Sequence, residues 1–330
     1  PLSWGTPTHI LSPKLLGTGL RLFSLRDLPM VGRQRERDTL WAALREVRRS
    51  GKARAVVLQG PTGVGKSRLA QWLCERSEEM GAATSFRAQH SPFPTRRDGL
   101  PAMLARHLRC FGYPRSEVAS YLKDLLKRRG DRDLSQWAAL TEFCAPASKA
   151  ERSNIPQMAV VSAPAERMTL IMDEMARVCS QRPVVVWLDD VQWGRQALDW
   201  VQYLVEGQET RPLPILVVMT VRDDLLPARR VEAETLGVLI QQEATEVLRV
   251  GPLPPEHMRA LVDQLLVLDE ALASEVEVRA AGNPMFARQL VGNWVEKGEL
   301  EYGPNGYHLR AGTDRALPDD LHAAWTWTVH

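Results

Sequence analysis

Three stretches of this chain are apolar almost without interruption, and each is too short for an ordinary helix. Ala55, Val56, Val57 and Leu58 form the first; Pro183–Asp190 (P-V-V-V-W-L-D-D) contains the second; Leu213–Val221 (L-P-I-L-V-V-M-T-V) is the third. Runs of this length, rich in β-branched residues and bounded by Gly, Pro or Asp, read as strands buried on both faces, as in a parallel sheet. Further strands are predicted over Thr84–Gln89 and near Glu246–Val250. Between them the spacing changes to helical. Leu69, Ala70, Trp72 and Leu73 follow the first strand. Leu100, Met103, Leu104, His107 and Leu108 fit one amphipathic helix, and Val118, Tyr121, Leu122, Leu125 and Leu126 fit another. Leu170–Cys179 rebuilds a helix before the second apolar run. Strands alternating with helical segments predict an α/β fold, a parallel sheet flanked by helices.

The same patterns suggest boundaries. Residues 1–28 lack periodicity and read as a linker or N-terminal strap. Residues 29–251 hold the sheet, with a long helical insert over 91–182 in which Ala145–Pro164, rich in Pro, Ser and Ala, reads as a loop. P-L-P-P after Gly251 opens a helical region, 252–298, with helices over His257–Leu268, Ala271–Ala281 and Met285–Lys297. In 299–330, Tyr302–Leu309 carries G-P-N-G between apolar residues, a hairpin signal. Trp325 and Trp327 in the tail belong to no readable pattern.

Composition narrows the class. The 330 residues are 44% hydrophobic and 25% charged, ordinary for a folded water-soluble chain. With 42 basic and 40 acidic residues the formal charge is only +2, so no overall field argues for nucleic acid or membrane. The basic stretches Arg45–Arg54 and Lys123–Arg132 read as solvated helix faces. Cys74, Cys110, Cys144 and Cys179 lie 34 to 36 residues apart and form no C-x-x-C pair, so they read as reduced, buried thiols of a cytoplasmic protein. The seven histidines show no ligand spacing, and His107 reads as a packed residue. The longest apolar run is too short to span a bilayer. A start at Pro1 without methionine or signal peptide suggests a piece of a longer polypeptide.

The chemistry is concentrated at Gly60-Pro61-Thr62-Gly63-Val64-Gly65-Lys66-Ser67, directly between the first strand and its helix. In this strand–loop–helix setting, G-x-x-x-x-G-K-S is a phosphate-binding loop. Its glycines let backbone N–H groups curl around phosphate oxygens, and the helix offers its positive end to the same anion. Lys66 is expected to reach the β- and γ-phosphates and the Ser67 hydroxyl to ligand Mg²⁺; Arg68, the next residue, joins the expected nucleotide-binding set. Asp189 and Asp190 close the second apolar run, at the strand end where open α/β sheets place ligands. They read as a Walker B pair: Asp189 for Mg²⁺, directly or through water, and Asp190 to orient or deprotonate the attacking water. The alternative is an Asp-rich turn capping the next helix. Thr220 and Arg222, at the end of the third run, are expected beside the γ-phosphate, with Arg222 as a catalytic cation. Otherwise Arg222 is a surface residue pairing with Asp223 or Asp224. The fold class sharpens to a P-loop NTPase of the ASCE type.

Met30-Val31-Gly32-Arg33 with Glu36, the phosphate loop, V-W-L-D-D-V-Q-W, T-V-R and Gly282-Asn283-Pro284 occur together in this order. The combination, spanning about residues 28–300, resembles the nucleotide-binding module of the STAND class of AAA+-related signal-transduction ATPases. The lead-in G-T-G-L-R-L-F-S-L-R-D-L-P-M-V-G-R is similar to bacterial multidomain regulators in which this module follows a serine/threonine kinase domain and precedes tetratricopeptide repeats. The resemblance implies ATP or ADP with Mg²⁺ as ligands, Val31, Gly32 and Arg33 against adenine and ribose, and Arg222 as sensor. It also implies a G-N-P turn that brings Pro284 to the base, 252–298 as a lid, and 299–330 as the start of a winged-helix domain. Each has a plainer reading: V-G-R as a turn before a helix, and G-N-P as a helix stop and start. Many AAA+ proteins carry Glu where Asp190 stands, so slow turnover is expected.

The reading that follows is an ATP-binding, slowly hydrolysing regulatory switch. Its partners are other domains of the parent polypeptide and copies of itself; membrane and nucleic acid are not expected. The alternatives are a small-molecule kinase using the same loop, and a nucleotide-binding hub without turnover.

Overall fold

The computed structural model describes Leu20, Phe23 and residues 30–130, 134–148 and 164–312. The strap over 1–28, most of the 145–164 loop and the tail beyond 312 therefore lie outside the described residues. The elements run α1 (Gln34–Ser50), β1 (Arg54–Gly60), α2 (Lys66–Glu79), β2 (Thr84–Gln89), α3 (Gly99–His107), α4 (Arg115–Arg129), α5 (Leu134–Cys144), α6 (Pro164–Cys179) and β3 (Val184–Asp189). They continue through a 3₁₀ turn at Val191–Trp193, α7 (Arg195–Glu206), β4 (Ile215–Arg222), α8 (Arg230–Ile240), β5 (Thr245–Arg249), α9 (Pro255–Leu265), α10 (Glu270–Ala280), α11 (Pro284–Glu296), β6 (Leu300–Gly303) and β7 (Gly306–Leu309).

β1 to β5 form one parallel sheet in the order β2-β3-β4-β1-β5. Burial explains the sequence patterns. β3 is buried at every position and β4 at all but Arg222, so both read as unbroken apolar runs. β2 and β5, at the sheet edges, carry the weaker signals. α5, α7 and α8 are helices that the periodicity reading did not assign; α7 buries Ala197, Leu198, Trp200, Val201, Leu204 and Val205. Trp187 and Trp200 lie in the sheet core, whereas Trp193 is only half-buried, with the Arg229 guanidinium 4.9 Å from its ring centre. His107 packs against Phe86, ring centres 4.5 Å apart, and burial lowers its pKa.

The chain divides into two compact units. One comprises residues 34–62 and 66–250: the sheet and its helices. The other comprises, of the described residues, those up to Arg33, Gly63–Gly65, and those from Gly251 to 312. The core of the second unit is built from Met258, Val262 and Leu265 of α9, Val276 of α10, and Leu290, Val291 and Trp294 of α11, with Phe23 and Leu300. Its β6–β7 hairpin pairs Leu300 with Leu309 and Gly303 with Gly306.

Candidate functional site

In the sheet unit the candidate residues converge at the C-terminal ends of β1, β3 and β4. β4 lies between β1 and β3, and the register sets Arg222 opposite Gly60. Lys66, first residue of α2, is buried, and its Nζ donates to the carbonyls of Gly60 (2.8 Å) and Pro61 (2.7 Å). Burial lowers its pKa; the nearby Asp190 carboxylate opposes that shift and Arg222 adds to it. Ser67 Oγ donates to Asp189 Oδ1 at 2.8 Å.

Asp189 is the hub. Its Oδ1 also accepts from Thr220 Oγ1 at 2.7 Å, and its Oδ2 pairs with Arg87 Nη2 at 3.3 Å. The Arg87 guanidinium in turn lies 3.9 Å from the ring centre of Trp187, its register partner. The Asp189 carbonyl accepts from the His90 main-chain N–H (3.1 Å) and lies 2.8 Å from His90 Nδ1. Asp190 follows with φ 56° and ψ 51°, a left-handed conformation that Asp tolerates better than most residues. Its N–H donates to Thr220 Oγ1 (2.8 Å), and its Oδ1 accepts from Gln192 Nε2 (3.0 Å). Burial pushes the Asp190 carboxyl up; the Gln192 hydrogen bond opposes this and the adjacent Asp189 charge adds to it.

Two expected placements differ. Thr220 does not offer its hydroxyl outward: the side chain is fully buried and its Oγ1 is committed to Asp189 and Asp190. Arg222 takes its plainer alternative, an ion pair with Asp224 at 2.8 Å. Arg68 Nη1 lies 3.4 Å from Glu75 on its own helix. Arg87, His90 and Gln192 were not anticipated. Arg87 and His90 sit at an edge strand whose sequence carries no motif, and Gln192 is one unremarked letter of D-D-V-Q-W.

The remaining candidates lie in the second unit. Val31 packs against its core, and Gly32, at φ 63°, abuts the His257 ring so closely that a Cβ would fall 2.5 Å from Nδ1. Arg33 Nη2 donates to Val64 O (3.0 Å) and to Gly251 O (2.5 Å), tying a loop-tip carbonyl to the chain at 251. Asn283 caps α11, its Oδ1 accepting from Met285 N (3.1 Å) and Phe286 N (3.2 Å), and Pro284 is the first helical residue. Met285 N–H also donates to Gly63 O at 3.3 Å. The structure thus places Asn283 and Met285 at the tip of the phosphate loop.

The Ser67 hydroxyl and the Asp189 carboxylate are hard oxygen donors meeting at hydrogen-bond distance, the kind of protein contribution Mg²⁺ takes when phosphates and water complete its shell. Among the described residues no cluster of three or more His, Cys, Asp or Glu side chains forms a protein-only metal site.

A phosphate loop joining β1 to α2, in a parallel sheet ordered β2-β3-β4-β1-β5 with acids ending β3, defines a P-loop NTPase. Residues 29–218, more than half the chain, match the AAA ATPase domain family, and the chain belongs to it. Among solved structures it is similar to the Cdc6 protein of Pyrobaculum aerophilum, at 13% identity and a TM-score of 0.51, over 84% of this chain and 66% of that one. It is also similar to the Orc1 protein of Aeropyrum pernix, solved in complex with DNA, at 15% identity and a TM-score of 0.49, over 94% of this chain and 68% of that one. At such identities the likeness concerns the fold, and this chain spans just under two thirds of the Cdc6 protein. Comparison with curated proteins gives no match.

Proposed function

We propose that this chain is the ATP-binding switch module of a larger STAND-class signalling protein, hydrolysing ATP slowly. The observation that carries the reading is the Ser67–Asp189 contact at 2.8 Å beside a Lys66 ammonium that, among the described residues, donates to the Gly60 and Pro61 carbonyls. Neutral carbonyls are weak competitors for an ammonium, so a polyphosphate can draw Nζ off them. Ser67 and Asp189 would hold Mg²⁺, which when bound neutralises charge on the phosphates.

The other roles rest on the same positions. Lys66 binds the terminal phosphates. Asp190, whose pKa burial raises, accepts the proton of a water that attacks the γ-phosphorus as the bond to the β–γ bridging oxygen breaks. ADP and inorganic phosphate are the products. Arg222 exchanges Asp224 for the γ-phosphate and stabilises its developing charge. Val31, Gly32, Arg33 and Pro284 face adenine and ribose. The switch follows from the hydrogen bond that Met285 of α11 donates to the loop tip: displacement of Gly63 by phosphate is transmitted to Met285, and so to the helices of 252–298, the lid. Kinase and repeat domains of the parent polypeptide, and self-association, are the proposed partners. Among the described residues no helix is long and apolar enough to cross a membrane, and four free thiols suit a reducing cytoplasm.

Phosphate release from ATP alone, compared among wild type, Lys66→Ala and Asp190→Ala, tests this. The switch predicts slow release by wild type and none by either variant. Release that requires an added metabolite would replace it with a small-molecule kinase, and tight binding without release in any form with an inert hub.

A further inference from the structure

A second surface of the sheet unit carries a chemistry that nucleotide binding does not use. The segment from Ser91 to Tyr113, following β2 through α3, holds Arg96, Arg97, Arg106 and Arg109 against one carboxylate, Asp98. Four positive charges and one negative leave +3 within 23 residues, in a chain whose total is +2. All four arginines are exposed. Their guanidiniums make no ion pair among the described residues; Arg106 donates to the Arg97 carbonyl at 2.7 Å and covers Phe111 at 4.6 Å. Asp98 offers them little, because its Oδ2 is occupied by Ser91 Oγ (3.0 Å), Thr95 N (2.8 Å) and Thr95 Oγ1 (3.0 Å).

Those three hydrogen bonds also set the loop. Ser91 Oγ donates to the Phe93 carbonyl at 2.9 Å as well, and Pro92 and Pro94 flank the phenylalanine. Phe93 is held 83% exposed, an unusual position for so large an apolar side chain. Phe111 and Tyr113 are exposed on the neighbouring turn, which Arg106 links to the loop. A pre-set aromatic loses little entropy on binding.

We propose that this Phe93–Arg97–Arg106–Phe111 surface binds single-stranded nucleic acid. Unpaired guanidiniums follow a phosphate backbone, and exposed rings stack unpaired bases; the two together are the recognition set for single strands. An acidic peptide would satisfy the arginines and leave the rings unused. A duplex hides the base faces that the rings would meet.

Fluorescence anisotropy of the whole chain with a labelled 20-mer of deoxythymidine tests the assignment, with a 20-base-pair duplex and polyglutamate as competitors. Saturable binding is expected, with log affinity falling against log salt by about 0.7 for each phosphate contacted by an arginine. Arg96→Glu/Arg97→Glu/Arg109→Glu should abolish it. Phe93→Ala should weaken it about tenfold, a loss of about 1.4 kcal/mol, with the salt slope unchanged. Thermal melting and ATP affinity of both variants should match wild type, since every altered side chain is exposed. Absence of binding at low salt, unaltered binding by either variant, or equal competition by duplex or polyglutamate would each overturn the proposal.

Discussion

Thr220 offers a sharp test of how the acidic end of β3 is held. Its hydroxyl is fully buried, donates to Asp189 Oδ1 at 2.7 Å and accepts from the Asp190 N–H at 2.8 Å. Thr220→Val keeps the shape and deletes both bonds. A hydrogen bond to a charged group contributes about 1.5–3 kcal/mol, and a backbone N–H left without its acceptor costs about 1–3. Ser67 and Arg87 still contact Asp189, so the two losses do not add in full, and about 2–4 kcal/mol is expected. For a unit of this size that lowers Tm by roughly 5–12 °C. Thr220→Ser keeps the hydroxyl and loses one methyl, about 1 kcal/mol. Paired thermal melts without nucleotide measure both. Should the valine and serine variants melt within a degree or two of each other, the hydroxyl supports nothing and the account of the Asp189 hub is wrong.

Lys66→Met should leave the nucleotide-free protein within about 1 kcal/mol of wild type, because it removes a buried ammonium along with two hydrogen bonds. The same variant should lose the roughly 2.7 kcal/mol of stabilisation that Mg-ATP at a hundred times its Kd gives wild type, as read by melting with and without nucleotide. Gly63→Ala should destabilise more than Gly65→Ala. Both glycines have positive φ (84° and 100°), but only at Gly63 would a Cβ strike Asn283, at 2.4 Å from Oδ1. Adding Asn283→Ala should recover part of the Gly63→Ala loss, which a double-mutant cycle in urea would show as coupling. Burial pushes the Cys74 thiol from 9.0 to about 12. The folded state therefore holds that proton after the unfolded chain has released it, so stability falls as pH rises from about 9 toward 12. At pH 10 this thiol's share of the loss is about 1.4 kcal/mol; Cys179, raised to about 12 by the same cause, adds its own, so Cys74→Ala should lose about 1.4 kcal/mol less than wild type between pH 8 and 10, by urea midpoints.

What the letters disclosed follows from burial. β3 and β4 are central and covered on both faces, so their apolar runs had no other reading, and the glycines before α2 with the lysine that opens it make a motif because phosphate chemistry tolerates few substitutes. α5 and α8 escaped because partial burial and nearby loops blur their periodicity. Within the site, sequence order could place Thr220 and Arg222 at the end of a strand, yet it could not say that one would turn inward to brace two aspartates. Nor could it show that the other would meet Asp224, two residues on. Side-chain direction at a strand end depends on what the neighbouring strands supply. The cysteines teach the same lesson. Spacing of 34 residues gave no reason to place Cys110 beside Cys144, yet the two thiols interact, which lowers the pKa of Cys110 and raises that of Cys144.

The strand order carries a consequence for synthesis. β1 leaves the ribosome first among the five strands, but its sheet neighbours are β4 and β5, which arrive more than 150 residues later. A nascent chain ending between Ser67 and Ile215 carries the complete phosphate loop on a strand with both edges bare, an arrangement prone to mispairing. The nucleotide handle is thus translated early and becomes usable late, so a chain truncated before β4 should be caught by chaperones and never by ATP.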